Sequence, residues 1–231
     1  MGHYPQVKDV IYNCHVWDNP LFIDRFHFEK INVKPIVANP ILHPNSKCTD
    51  IIDTKSAMGF SFRILISGKL KGILERNKNN GIQFIQCSVF KGGNEYSDYW
   101  LLNVFEFNHE HIDFEKSIIS YEKQSDDYNV SSKREKLYLD LSNLSEFMKY
   151  VEIAKPKAEM VGIEKLFLNN NVSDNFFILR YVFGSKYFVT ETLKQEIEDA
   201  GCTGIEFQPI ELSYNEWTAS GGEREKIYGK S

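Results

Sequence analysis

The feature that most constrains this chain is that it writes one pattern twice. "SGKLKGILERNKNNGIQF" (Ser67 to Phe84) returns 123 residues later as "TETLKQEIEDAGCTGIEF" (Thr190 to Phe207). Leu70, Lys71, Glu75, Gly81, Ile82 and Phe84 meet Leu193, Lys194, Glu198, Gly204, Ile205 and Phe207 without a gap. Each copy follows a stretch rich in aromatic and β-branched residues, "FSFRILI" and "KYFV", which suits a pleated, half-buried surface. Ser67 and Thr190 then stand where a hydroxyl caps a helix by accepting from a free backbone N–H. Leu70 with Leu74, and Leu193 with Ile197, are four apart and give each helix a narrow apolar stripe. Gly81 and Gly204 are placed to take the left-handed turn into "IQFIQCSVF" and "IEFQPI". The pattern predicts an α+β fold with two similar strand-helix-strand units around a mixed or antiparallel sheet. The repetition has two readings: a duplicated fold with a site between its halves, or similar units arriving at similar letters.

Elsewhere a strand is expected near "DVIYNCHVW" (Asp9 to Trp17), followed by an extended, looping passage punctuated by Pro35, Pro40 and Pro44. The turn "KGGNEY" leads into "YWLLNVFEF" as a hairpin signal. Further strands are expected at "SIISYE" and "KLYLDL", and a short helix at "SEFMKYVEIA". From Ala219 the apolar periodicity stops, so residues 219–231 read as a flexible tail.

The apolar share, 42% of 231 residues, is enough for one large domain or two joined lobes. Cys14, Cys48, Cys87 and Cys202 form no CxxC pair and read as reduced thiols. The N-terminal letters lack a basic region followed by an apolar run, and no stretch approaches eighteen apolar residues. The expected location is therefore the cytoplasm, with no membrane partner. A net charge of −5 repels phosphate backbones, which argues against nucleic-acid binding and is compatible with a basic protein partner.

No GxSxG elbow, glycine-rich phosphate cradle or HExxH motif is written in the chain, so no catalytic residue and no cofactor is assigned. The best metal or catalytic candidate is "NHEHIDFE". On a strand its His109, His111, Asp113 and Glu115 would share one face, and a solvated turn is the plainer reading. An enzyme using His109 and His111 for a metal stands as the alternative function, and an adaptor protein as a third. Two loops combine tyrosine with acids: Tyr96, Asp98 and Tyr99 in "GGNEYSDYW", and Asp126, Asp127 and Tyr128 in "SDDYN". That composition offers rigid contact area together with charge that steers a basic partner. Solvated loops with tyrosines folded back on the core are the competing reading.

The pieces "YSDYWLLNV" (Tyr96 to Val104), "IDFEKS", "KLYLD", "FILR" and above all "YFVTETLKQEIEDAGCTGIEFQPI" (Tyr187 to Ile210) resemble the bacterial immunity proteins of polymorphic toxin systems, in particular the immunity protein eleven family. The resemblance spans roughly the C-terminal two thirds. It implies a cytosolic protein, made beside a toxin that it binds and silences, with no catalytic residues of its own. On this reading residues 1–218 form an immunity-type α+β domain, single or in two similar lobes. The two acidic, tyrosine-bearing loops are then its toxin-binding candidates.

Overall fold

A computed structural model describes residues 6–54, 59–60, 63–78, 80–124, 134–183 and 187–229. The chain runs through β1 (Val7–Tyr12), β2 (Ala38–Leu42), β3 (Ile51–Ile52), β4 (Ile64–Ser67), α1 (Gly68–Asn77), β5 (Ile82–Gln86), β6 (Val89–Lys91), β7 (Asn94–Tyr96) and β8 (Tyr99–Val104). It continues through β9 (Ile118–Gln124), β10 (Arg134–Leu139), α2 (Leu144–Ala154), β11 (Met160–Lys165), β12 (Phe176–Ile178), β13 (Tyr187–Val189), α3 (Glu191–Asp199), α4 (Tyr214–Thr218) and α5 (Glu223–Tyr228). The fold is α+β, as the pattern predicts. Sheets of order β1-β2-β6-β7, β3-β4-β8-β5 and β10-β9-β11 and the pair β12-β13 are antiparallel, except where β2 meets β6.

The sheet β3-β4-β8-β5 separates two cores, because neighbouring residues of a strand point to opposite faces. Leu65 and Leu101 point one way, joining Phe22, Ile23, Ala38 and Val89. Ile66 and Leu102 point the other way, onto Leu70, Ile73 and Leu74 of α1 and Leu193 and Ile197 of α3. A third core lies between β9, β11 and α2, around Ile119, Phe147, Val161 and Ile163.

The two copies of the repeated pattern pack on each other, and their caps match closely. Ser67 (φ −70°, ψ 160°) and Thr190 (φ −70°, ψ 161°) accept from the N–H groups of Leu70 and Leu193. Gly81 and Gly204 sit at φ +75° and +78°, where a side chain is strained. A Cβ on Gly204 would also meet the Ile51 carbonyl oxygen at 2.6 Å. Each cap is tied to an Asx residue that precedes the unit. Ser67 donates from N–H to the Asp50 carbonyl and from Oγ to Asp50 Oδ1, at 2.9 and 2.6 Å. Thr190 makes the same two bonds to Asn175, at 2.9 and 3.1 Å.

The far end of each Asx side chain then crosses to the other unit. Asp50 Oδ2 accepts from Thr203 N–H and Oγ1, just beyond α3, at 2.7 and 3.1 Å. Asn175 Nδ2 donates to Asn77 Oδ1 at the end of α1, at 3.1 Å. The helices run in opposite directions, with Lys69 reaching the carbonyls of Ala200 and Gly201 and Arg76 paired with Glu196 at 2.6 Å. The place where a site between the halves was one expectation is thus filled by the apolar side chains of α1 and α3.

Other expectations are corrected. The second unit has no exit strand: residues 205–209 have no regular structure, because nothing equivalent to β8 lies beside them to pair with, although Ile205 and Phe207 pack on the core. The proline passage contains β2 with Pro40 inside it. Its ladder to β6 is a single pair, Ile41 with Phe90, so a residue lacking an N–H is tolerated. The described part of 219–231 carries α5. Arg224 forks onto Glu206 at 2.6 and 2.7 Å, Tyr228 Oη accepts from Phe207 N–H, and the Tyr228 ring stands edge-on to Trp217. A bidentate guanidinium–carboxylate pair is among the strongest surface ties.

The segment from Asp24 to Ile31 is laced to the central sheet by buried side chains. Arg63, 6% exposed, donates to Asn103 Oδ1 at 3.1 Å and to the Phe26 carbonyl, with Asp24 at 3.7 Å. Asn103 donates to the Glu29 carbonyl, and Gln83 bonds both the N–H and the carbonyl of Ile31.

Candidate functional site

Of the six expected contact residues, Tyr96, Asp98 and Tyr99 are described, while Asp126, Asp127 and Tyr128 lie outside the described residues. The β6–β7 hairpin turns at Gly92 and Gly93, both at positive φ, and β7 is an edge strand with all three residues exposed. Tyr96 is 40% exposed there. Asp98 is exposed and sits over the start of α1. Its carbonyl accepts from Gly68 N–H at 2.9 Å, and a methyl group on Gly68 would come within 2.0 Å of Asp98 Oδ1. A carboxylate at a helix N-terminus is favoured by the helix dipole.

Tyr99 departs from the expectation. It is 7% exposed, lies in the core and donates its hydroxyl to the Thr49 carbonyl at 3.0 Å. Burial, with Cys48 and nearby acids adding to it, pushes that hydroxyl up to about 12. Strand alternation turns Tyr99 inward. Its neighbour Trp100 takes the opposite face of the sheet, half-buried against the core that carries α1, where Lys71 Nζ stands 4.7 Å from the Trp100 ring centroid and 5.2 Å from that of Phe84. The exposed residues at this edge are Tyr96 and Asp98, with Trp100 half-buried beside Asp98, its Nε1 3.4 Å from Asp98 Oδ1.

The histidine segment is a 3₁₀ turn, His109–His111, and not a strand, so its side chains diverge. His109 Nε2 lies 3.2 Å from both the N–H and the carbonyl of Arg180, and burial holds its pKa below the ordinary value. His111 Nε2 pairs with Asp174 Oδ2 at 2.7 Å, and Asp113 holds Lys116 at 2.6 Å. Among the described residues no three His, Cys, Asp or Glu side chains are placed to hold a metal ion. A cleft of about 400 Å³ lies beside this turn, lined by Glu110, Asp113, Glu115, Asn143 and Asn169 among others. Several of its polar groups are engaged within the fold: Asn143 caps α2 through Glu146 N–H, Glu110 accepts from Asn108, and Asn169 donates to the Glu110 carbonyl.

The site regions thus lie on an α+β scaffold in which His109 and His111 are tied to Arg180 and Asp174. A family model matches residues 43–212, a span that takes in the segments that carried the resemblance and begins well upstream of them. The chain belongs to the Imm11 immunity protein family. No curated protein matches it. The matched region takes in both repeated units, while β1 and β2 fall outside it. No helix among the described residues is long and apolar enough to cross a membrane.

Proposed function

We propose that this chain neutralises a cognate bacterial toxin of a polymorphic toxin system by binding it directly in the cytoplasm and occluding its active site, without catalysis of its own. The observation that supports this reading is the family match over residues 43–212. The proposed grip is the hairpin edge bearing Tyr96 and Asp98, joined by Asp126, Asp127 and Tyr128, because binding residues concentrate on loops held by rigid elements.

The test is co-expression with the toxin encoded beside this chain's gene, together with calorimetry of the purified pair. Rescue of growth and a stoichiometric complex are expected. A toxin that still kills in the presence of folded protein would sink the reading. Within the complex, Tyr96→Ala is expected to cost about 1 to 2 kcal/mol through faster dissociation. Asp98→Asn is expected to slow association and flatten its salt dependence. Asparagine is a better probe than lysine at this position, since a cation over the start of α1 would itself cost about 0.3 to 1 kcal/mol of stability. Unchanged kinetics in both variants would move the interface off this edge.

A further inference from the structure

Arg180 is the one feature of the Phe28–Tyr181 region that bracing does not account for. Its guanidinium carbon stands 4.2 Å from the Phe28 ring centroid and 4.8 Å from that of Tyr181. Both aromatic residues adopt the left-handed backbone, at φ +58° and +67°, which bulky side chains rarely enter. Such strain persists only where the surroundings impose it, and it gathers at ligand clamps. The surroundings here do impose it. Phe28 stands edge-on to Phe107 at 5.5 Å, Phe107 stacks on His109 at 5.8 Å, and His109 stacks on Tyr181 at 5.9 Å. His109 also bonds the Arg180 backbone, the Tyr181 carbonyl accepts from Ile163 N–H at 2.7 Å, and the lacing of Phe26, Glu29 and Ile31 fixes the Phe28 segment.

Everything around the guanidinium is thus held, yet among the described residues the guanidinium itself has no ion pair and no hydrogen bond. Arg180 is half-buried and not enclosed, so a partner can reach its guanidinium, and that planar fork matches the two oxygens of a carboxylate. We propose that Arg180, clamped between Phe28 and Tyr181, is a preformed receptor for an aspartate or glutamate side chain of the toxin. The assignment rests on the toxin-binding reading. It adds a basic contact to a surface otherwise expected to work through acids, and so fixes the register of the complex. Because the clamp orders the side chain in advance, little rotamer entropy remains to be lost on binding.

The experiment pairs two readouts. In the free protein, titration with sodium acetate, against a sodium chloride control, is expected to move the Arg180 Nε–H resonance. An unmoved resonance overturns the receptor chemistry whatever the partner. With the toxin encoded beside the gene, Arg180→Ala is expected to weaken binding about 30-fold or more. Arg180→Lys keeps the charge but not the fork and is expected to lose roughly tenfold. Melting of Arg180→Lys should stay within about 3 °C of wild type, since a cation remains between the rings, while Arg180→Ala also gives up both ring contacts and should melt somewhat lower yet still fold. One Asp or Glu to Ala change in the toxin should be non-additive with Arg180→Ala. Wild-type affinity in Arg180→Ala, or additivity with every toxin carboxylate, overturns the proposal. A wild-type protein that does not bind the toxin overturns the partner, and the acetate titration then stands as the measure of the receptor alone.

Discussion

Asp50→Ala is expected to lower stability by about 3 to 4 kcal/mol, or roughly 6 to 16 °C in melting temperature. Asp50 is 8% exposed and accepts from Ser67 Oγ and from both donors of Thr203, with Lys69 Nζ at 3.2 Å. Alanine removes the acceptor from all of them at once and releases the start of α1 from the end of α3. The same residue gives the effect a pH signature. Burial alone would raise its pKa, but hydrogen bonds from Ser67, Thr203 and Lys69, with the Lys69 charge, outweigh burial and hold it below the ordinary carboxylate value. A depressed folded-state pKa contributes stability that is complete above the unfolded value, about 4, and is lost as pH falls through the lower folded value. The gap in urea midpoint between wild type and Asp50→Asn should therefore be widest near neutrality and shrink in acid. A gap independent of pH would show that the charge on Asp50 has no part in the brace.

Arg63→Met should cost about 3 to 5 kcal/mol, the range for removing one partner of a buried charged network. The methionine keeps the stem but withdraws the donors to Asn103 and to the Phe26 carbonyl and the cation near Asp24. Denaturant unfolding followed by tryptophan fluorescence measures the loss. A midpoint unchanged within error would mean that the lacing of residues 24–31 contributes nothing net. Because that lacing also positions Phe28, the Arg180 Nε–H resonance should broaden in the same variant.

What the letters carried and what they hid divide along physical lines. Helix caps are local chemistry, so Ser67, Thr190 and the glycine turns at 81 and 204 were legible. The Ser213–Glu216 capping box that opens α4 is written just as locally, and that helix lay within reach of the same rule. Pro40 in β2 and the helix at 223–228 depend on what lies opposite them: a one-pair ladder, and Glu206 with Trp217. Tyr99 was misjudged because composition does not say which of two strand faces a residue takes, and its partner Thr49 is 50 residues away. His109 and His111 looked like one face only on the assumption of a strand. The Arg180 clamp was unreadable, since nothing in the letters of Phe28 or Tyr181 announces a left-handed backbone.

The crossed bonds of Asp50 and Asn175 decide how the molecule breathes. The end of α3 is held by the residue that holds the start of α1, and the end of α1 by the residue that holds the start of α3. Neither helix can open without undoing the other's anchor, so two segments 123 residues apart in the chain form one cooperative unit. In native-state hydrogen exchange the interior amides of α1 and α3 should share one opening free energy and one denaturant dependence. Those of the β6–β7 hairpin, where a Cβ on Gly92 or Gly93 would meet nothing within 4 Å, should exchange by shallow local openings. The surface offered to a partner would then fluctuate on a support that opens only as a whole.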